Sequence, residues 1–142
     1  MFRISAVALL MLPMAAFAEE LSISGAWVPI APPGSRAHAA YFTLHNTGAT
    51  PRVLVGIAAD GYAMTHLHES KETDGVATMS MLHQIEIPAG KALTMKQGRL
   101  HIMLMGPDAP VAQGDVVQLV LTFADGETIA VSAEVKSRDY ES

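Results

Sequence analysis

The chain has 142 residues, half of them apolar, which is the length of one domain with enough material for a packed core. Its formal net charge of −5, without a basic patch, argues against nucleic acid as a partner, and the absence of cysteine removes disulfides, thiolate metal sites and thiol catalysis. Charged residues are only 16% of the total and nothing suggests a disordered tail.

The opening MFRISAVALLMLPMAAFAEE carries one basic residue, Arg3, then an apolar run from Ile4 to about Ala16 and the small-x-small triplet Ala16-Phe17-Ala18. It reads as a secretory signal peptide cleaved after Ala18, too short and wrongly flanked for a spanning helix, with a retained anchor as the alternative. Residues 19–142 are then expected to form a single soluble exported domain, at net charge −6 once Arg3 is removed.

From Leu21 the chain runs through a short apolar segment, a loop with Pro29, Pro32, Pro33 and Gly34, and a second apolar run. Proline at that density breaks helices, so two strands joined by an irregular loop are expected, with Trp27 as a core anchor. Tyr41 lies in the second strand, Asn46-Thr47-Gly48 supplies turn chemistry, and Arg52 to Ala58 makes a β-branched-rich third strand.

After Asp60-Gly61, Met64, His66 and His68 share one strand parity. Beyond KETDG, Met79, Met81 and His83 share a parity of their own. A four-residue loop over Glu72 to Gly75 would place His68 opposite Met79, His66 opposite Met81 and Met64 opposite His83. A tighter Asp74-Gly75 turn would shift these partners by two. Either way the six side chains share one face of one hairpin, because side chains alternate with period two.

Pro88-Ala89-Gly90 then turns the chain into a short strand around Leu93, and Lys96 to Arg99 reverses it into LHIMLMG. There His101, Met103 and Met105 lie on one face and Leu100, Ile102 and Leu104 on the other. Two long apolar strands follow around the turn Asp125-Gly126. The first is apolar on nearly both faces, which predicts a central position, and the second turns Ile129, Val131, Ala133 and Val135 inward. Eight or nine short strands without an amphipathic helix point to an all-β sandwich or Greek-key barrel.

The chemistry lies in His68, Met79, His101 and Met103, spaced as H-x10-M-x21-H-x-M. Thioethers are soft neutral donors and neutral imidazoles are borderline ones, so two of each suit Cu(I) and not oxygen-seeking ions such as Ca²⁺ or Mg²⁺. No ligand carries charge, so the ion would be held less firmly than by thiolates, as a carrier requires. Methionine is also a common core filler and a lone buried histidine is usually structural, so each residue alone has an ordinary packing explanation. From the His and Met frequencies the four-residue spacing would arise by chance on the order of once in a thousand such chains.

This sequence resembles the periplasmic copper chaperone A family, PCu(A)C, whose hallmark is the same H-x10-M-x21-H-x-M pattern. The resemblance extends over almost the whole chain after Ala18, including the Trp27 segment with its Pro-Pro-Gly loop, Tyr41, Asn46-Thr47-Gly48, LHES around His68, IEIPAG, GRLHIMLMG and GDVVQLVLTF. It implies a cupredoxin-like β-barrel, periplasmic location, and Cu(I) held by His68, Met79, His101 and Met103. It also implies delivery of copper to an acceptor cuproprotein, such as cytochrome c oxidase subunit II with its CuA centre, alongside Sco-type proteins. The chain ends at Ser142 without the His/Met-rich tail of some relatives, which argues against a second Cu(II) site of that kind.

His66 and His83 are candidate auxiliary ligands or plain rim residues, as are Met64, Met81 and Met105. His38 and His45 read as surface or structural, and Met95 as core. A monomeric, non-enzymatic metal carrier is the leading expectation. Blue-copper electron transfer needs a cysteine, and catalytic zinc prefers histidine and carboxylate with an open water position. The alternatives are a copper sequestration or resistance protein, with the same site but a different fate for the metal, and an exported immunoglobulin-like binding module whose His/Met cluster is merely packed.

Overall fold

Turn residues cut this sequence into short runs whose apolar residues alternate with period two or are β-branched, and the computed structural model, described over residues 20–141, is built of strands accordingly. The strands are β1 (Leu21–Pro29), β2 (Ala37–Asn46), β3 (Arg52–Ala59), β4 (Tyr62–Thr73), β5 (Val76–Leu82), β6 (Ile85–Ile87), β7 (Ala92–Thr94), β8 (Leu100–Pro107), β9 (Val116–Phe123) and β10 (Thr128–Lys136). One 3-10 turn at Arg138–Glu141 follows. The segment expected from its sequence to be a signal peptide lies outside the described residues, among which no helix is long and apolar enough to cross a membrane.

Hydrogen bonding links the strands in the order β5-β4-β8-β2-β1-β10-β9-β3-β6, with β7 also on β2. Two strands change partners midway and fold this array over a common core. The first part of β2 (Ala37 to Ala40) pairs β8, and the remainder pairs β1 and β7. β1 is bulged between Ser24 and Trp27, where Gly25 takes the left-handed φ of 63° that a side chain would oppose. Past the bulge, Trp27 to Pro29 run parallel to β10. The result is the all-β, cupredoxin-like Greek-key architecture expected from the sequence, with ten strands in place of eight or nine.

Trp27, Phe42, Leu44, Leu54, Leu119, Leu121 and Phe123 are buried at the centre. Trp27 packs on Tyr41 with ring centroids 5.5 Å apart. Asn46 ties the turn after β2 by donating its amide to the carbonyls of Thr50 (2.9 Å) and Ile87 (3.0 Å) while Oδ1 accepts from the Gly48 amide. One expectation needs correcting. β9 is central in hydrogen bonding, between β10 and β3, but only one of its faces is buried, since Val116 and Val120 are exposed. Its apolar run reflects β-propensity on a solvent face, where Val pairs well across strands.

The β4, β5 and β8 strands form a wing whose two faces differ in chemistry. Leu67, Ile102 and Leu104 point into the core, so period-two alternation turns His66, His68, His101 and Met103 to the other side.

Candidate metal centre

The β4–β5 turn sets the register of this wing. Asp74 and Gly75 both have positive φ, 52° and 77°, as a two-residue type I′ hairpin loop requires, and Thr73 pairs with Val76. The four-residue loop is therefore not formed. Met81, not Met79, stands directly opposite His68, and Met79 stands opposite Ser70. The shared parity is unaffected, because the shift is two residues.

On the other side of β4, His68 faces His101, His66 faces Met103 and Met64 faces Met105. Directly opposed residues have Cβ atoms about 4.5–5.5 Å apart, and diagonal neighbours lie about 7–8 Å away, within reach of long side chains. Relative to His68, His101 is therefore a direct neighbour, and Met79 and Met103 are diagonal ones. His68 is the hub of the four residues singled out by spacing.

The rings of His68 and His101 meet edge to face, with centroids 5.5 Å apart and planes at 87°. Nδ1 of His101 lies 3.1 Å from the Arg99 carbonyl oxygen, so it carries the proton and donates, leaving Nε2 with a free lone pair. Nδ1 of His68 is buried and has no hydrogen-bond partner. A buried polar nitrogen without a partner costs about 1–3 kcal/mol unless something else satisfies it. Burial holds the His68 imidazole below its ordinary pKa, and the neighbouring His101 and His66 push it the same way. The neutral ring, the form that can donate to a metal, is thereby favoured.

The thioethers are placed differently. Met79 and Met81 are 55% and 49% exposed, Met103 is half-buried, and Met95 is buried at 1%, so core filling accounts for Met95 alone among these four. His66 stacks on His68 with centroids 5.8 Å apart and planes within 4°. His83 lies just past the end of β5, on the wall of a surface pocket that His66 and Met81 also line. His38 sits apart from this face. It is buried opposite Leu104, and its Nδ1 lies 2.9 Å from the Tyr62 hydroxyl, a structural role. His45 bonds the Ser24 hydroxyl on β1. Of the two hairpin turns compatible with the sequence, the structure takes the tighter Asp74-Gly75 one, which makes Met81 the cross-strand partner of His68.

A family model described as "Putative lipoprotein LpqE-like" matches residues 21–135. The protein Lxx21020 of Leifsonia xyli subsp. xyli, also named as a lipoprotein, is 37% identical over 120 residues, 84% of this chain and 71% of the relative. The copper-bound PCuAC domain from PmoF2 superposes with a TM-score of 0.71 over 87% of this chain and 99% of that one. The chain belongs to the LpqE-like, or PCu(A)C, family. The PmoF2 match, at 18% identity, speaks for the PCu(A)C fold alone. Closer in sequence is DR1885 from Deinococcus radiodurans, whose Cu(I) form in solution is 35% identical with a TM-score of 0.70, covering 88% of this chain and 83% of that one. Its apo form is 33% identical, with a TM-score of 0.66, over 98% and 96% of the two chains.

Proposed function

We propose that this PCu(A)C protein is a Cu(I) carrier that holds its ion with His68, Met79, His101 and Met103. The observation that carries this reading is the position of His68, whose buried, unpartnered Nδ1 lies where the other three residues are its direct or diagonal neighbours. Two imidazoles and two thioethers match a soft monovalent ion. The DR1885 relative has been solved in a Cu(I) form, which supports the same cargo here. Exposure of Met79 speaks against a merely packed cluster in a metal-free binding module.

In this proposal residues 1–18 direct export, residues 19–142 make one copper-binding domain, and the protein works in the periplasm as a carrier and not as an enzyme. Neutral ligands, with Met79 exposed beside the buried His101, allow the ion to leave by ligand exchange from the Met79 side. The acceptor is a cuproprotein with a stronger thiolate site, such as the CuA domain of cytochrome c oxidase subunit II or a Sco-type protein. A sequestration protein would hold the ion against such an acceptor.

A Cu(I) titration under reducing conditions, against a competing chromophoric chelator, tests the site. Replacing a mere hydrogen-bond partner of a ligand already costs about 10- to 100-fold in metal affinity, so Met79→Ala/Met103→Ala should lose at least that for the tightest equivalent. Unchanged affinity in that variant would remove the assignment. Anaerobic mixing of the loaded protein with an isolated CuA domain then tests delivery, which predicts copper on the acceptor.

A further inference from the structure

The face that carries His68 and His101 does not stop at them. Along β4 and β8 the pairs run His68 with His101, His66 with Met103, and Met64 with Met105, three successive rungs made only of imidazoles and thioethers. The last rungs contain three donors outside the four-residue set: Met64, His66 and Met105. Met64 and Met105 are directly opposed, and His66 lies one pleat from Met64 and diagonal to Met105, so all three can close on one point above the strands. Packing does not explain them. Met64 is 54% exposed, and His66 and Met105 are only half-buried, while the core positions between them on β8, Ile102 and Leu104, are fully covered.

We propose that Met64, His66 and Met105 form a second, weaker Cu(I) site beside the first. It rests on the copper-carrier reading of the neighbouring site and extends it. One imidazole and two thioethers give a neutral, three-coordinate soft-donor set. Met103, opposite His66 and two residues from both His101 and Met105, stands between the two sites. The His66 ring stacks on His68 at 5.8 Å. An ion can therefore step along the face by exchanging one neutral ligand for another, with no change of oxidation state. The exposed end of the ladder, at Met64, is where an acceptor's ligands would enter.

The test is the number of Cu(I) ions bound by the chain from Glu19 onward, titrated anaerobically with Cu(I) and followed by native mass spectrometry and by the methionine methyl signals in NMR. The wild type should take up two equivalents, with the Met64 and Met105 methyl signals moving only during the second. Met64→Leu/Met105→Leu, which keeps side-chain volume, should stop at one. His68→Ala/His101→Ala should lose the tighter equivalent and keep the weaker. Saturation of the wild type at one equivalent, or two equivalents retained in the double leucine variant, overturns the second site and leaves the first intact. No uptake by the wild type overturns both.

Discussion

His68 on β4 and His101 on β8 oppose one another across adjacent strands, their rings edge to face at 5.5 Å. One of them is oriented by the Arg99 carbonyl and the other has a buried nitrogen with no partner. Such a pair gains nothing from mutual hydrogen bonding in this arrangement, and is suited to sharing an ion.

If the thioethers serve the metal and not the core, apo stability should be nearly indifferent to them. Met79→Ala and Met81→Ala, at positions 55% and 49% exposed, should change unfolding free energy by no more than about 0.5 kcal/mol. Met95→Ala, at 1% exposure, should cost about 2–5 kcal/mol. Urea denaturation of the three apo variants measures the contrast, and comparable losses at all three positions would restore the packing explanation.

Acid should weaken the apo protein in a defined window. His68 and His38 both have imidazole pKa values held down, His68 by burial and then by its histidine neighbours, His38 by burial. The unfolded chain then binds more protons than the folded one below about pH 6.5, so stability is full above that pH and falls as pH drops toward the depressed folded values. The urea midpoint should fall across that window, and His68→Gln should flatten part of the slope. Copper retention should persist below pH 6.5 and fail once His68 is protonated.

Much of this face is legible in the sequence because side-chain alternation is a strict period of two. Met64, His66 and His68, and His101, Met103 and Met105, fall on one side from their spacing alone, and the buried Leu67, Ile102 and Leu104 follow. Register is not legible in that way. Two- and four-residue loops over Glu72 to Gly75 satisfy the same parity, and positive φ at both Asp74 and Gly75 selects the shorter one. Burial of one nitrogen of His68, and the Tyr62 hydroxyl on His38, depend on contacts between strands distant in sequence, which no local pattern encodes.

The turn itself can be used to perturb the site from a distance. Gly75→Val puts a β-branched residue at a φ of 77°, a strain of about 1 kcal/mol or more. The tip touches no donor, yet a relaxed turn displaces Met79 and Met81 relative to His68. A lower chelator concentration should then strip Cu(I) from Gly75→Val than from wild type. Equal resistance would mean that β5 contributes no ligand.

The central claim is that two nitrogens and two sulfurs meet at one ion. X-ray absorption at the copper edge, on protein loaded to one equivalent of Cu(I), reads that number directly. The account predicts two imidazole nitrogens with two thioether sulfurs in the wild type, and one sulfur fewer in each of Met79→Ala and Met103→Ala. A sulfur count unchanged by both substitutions, or a shell of nitrogen and oxygen alone, would contradict it.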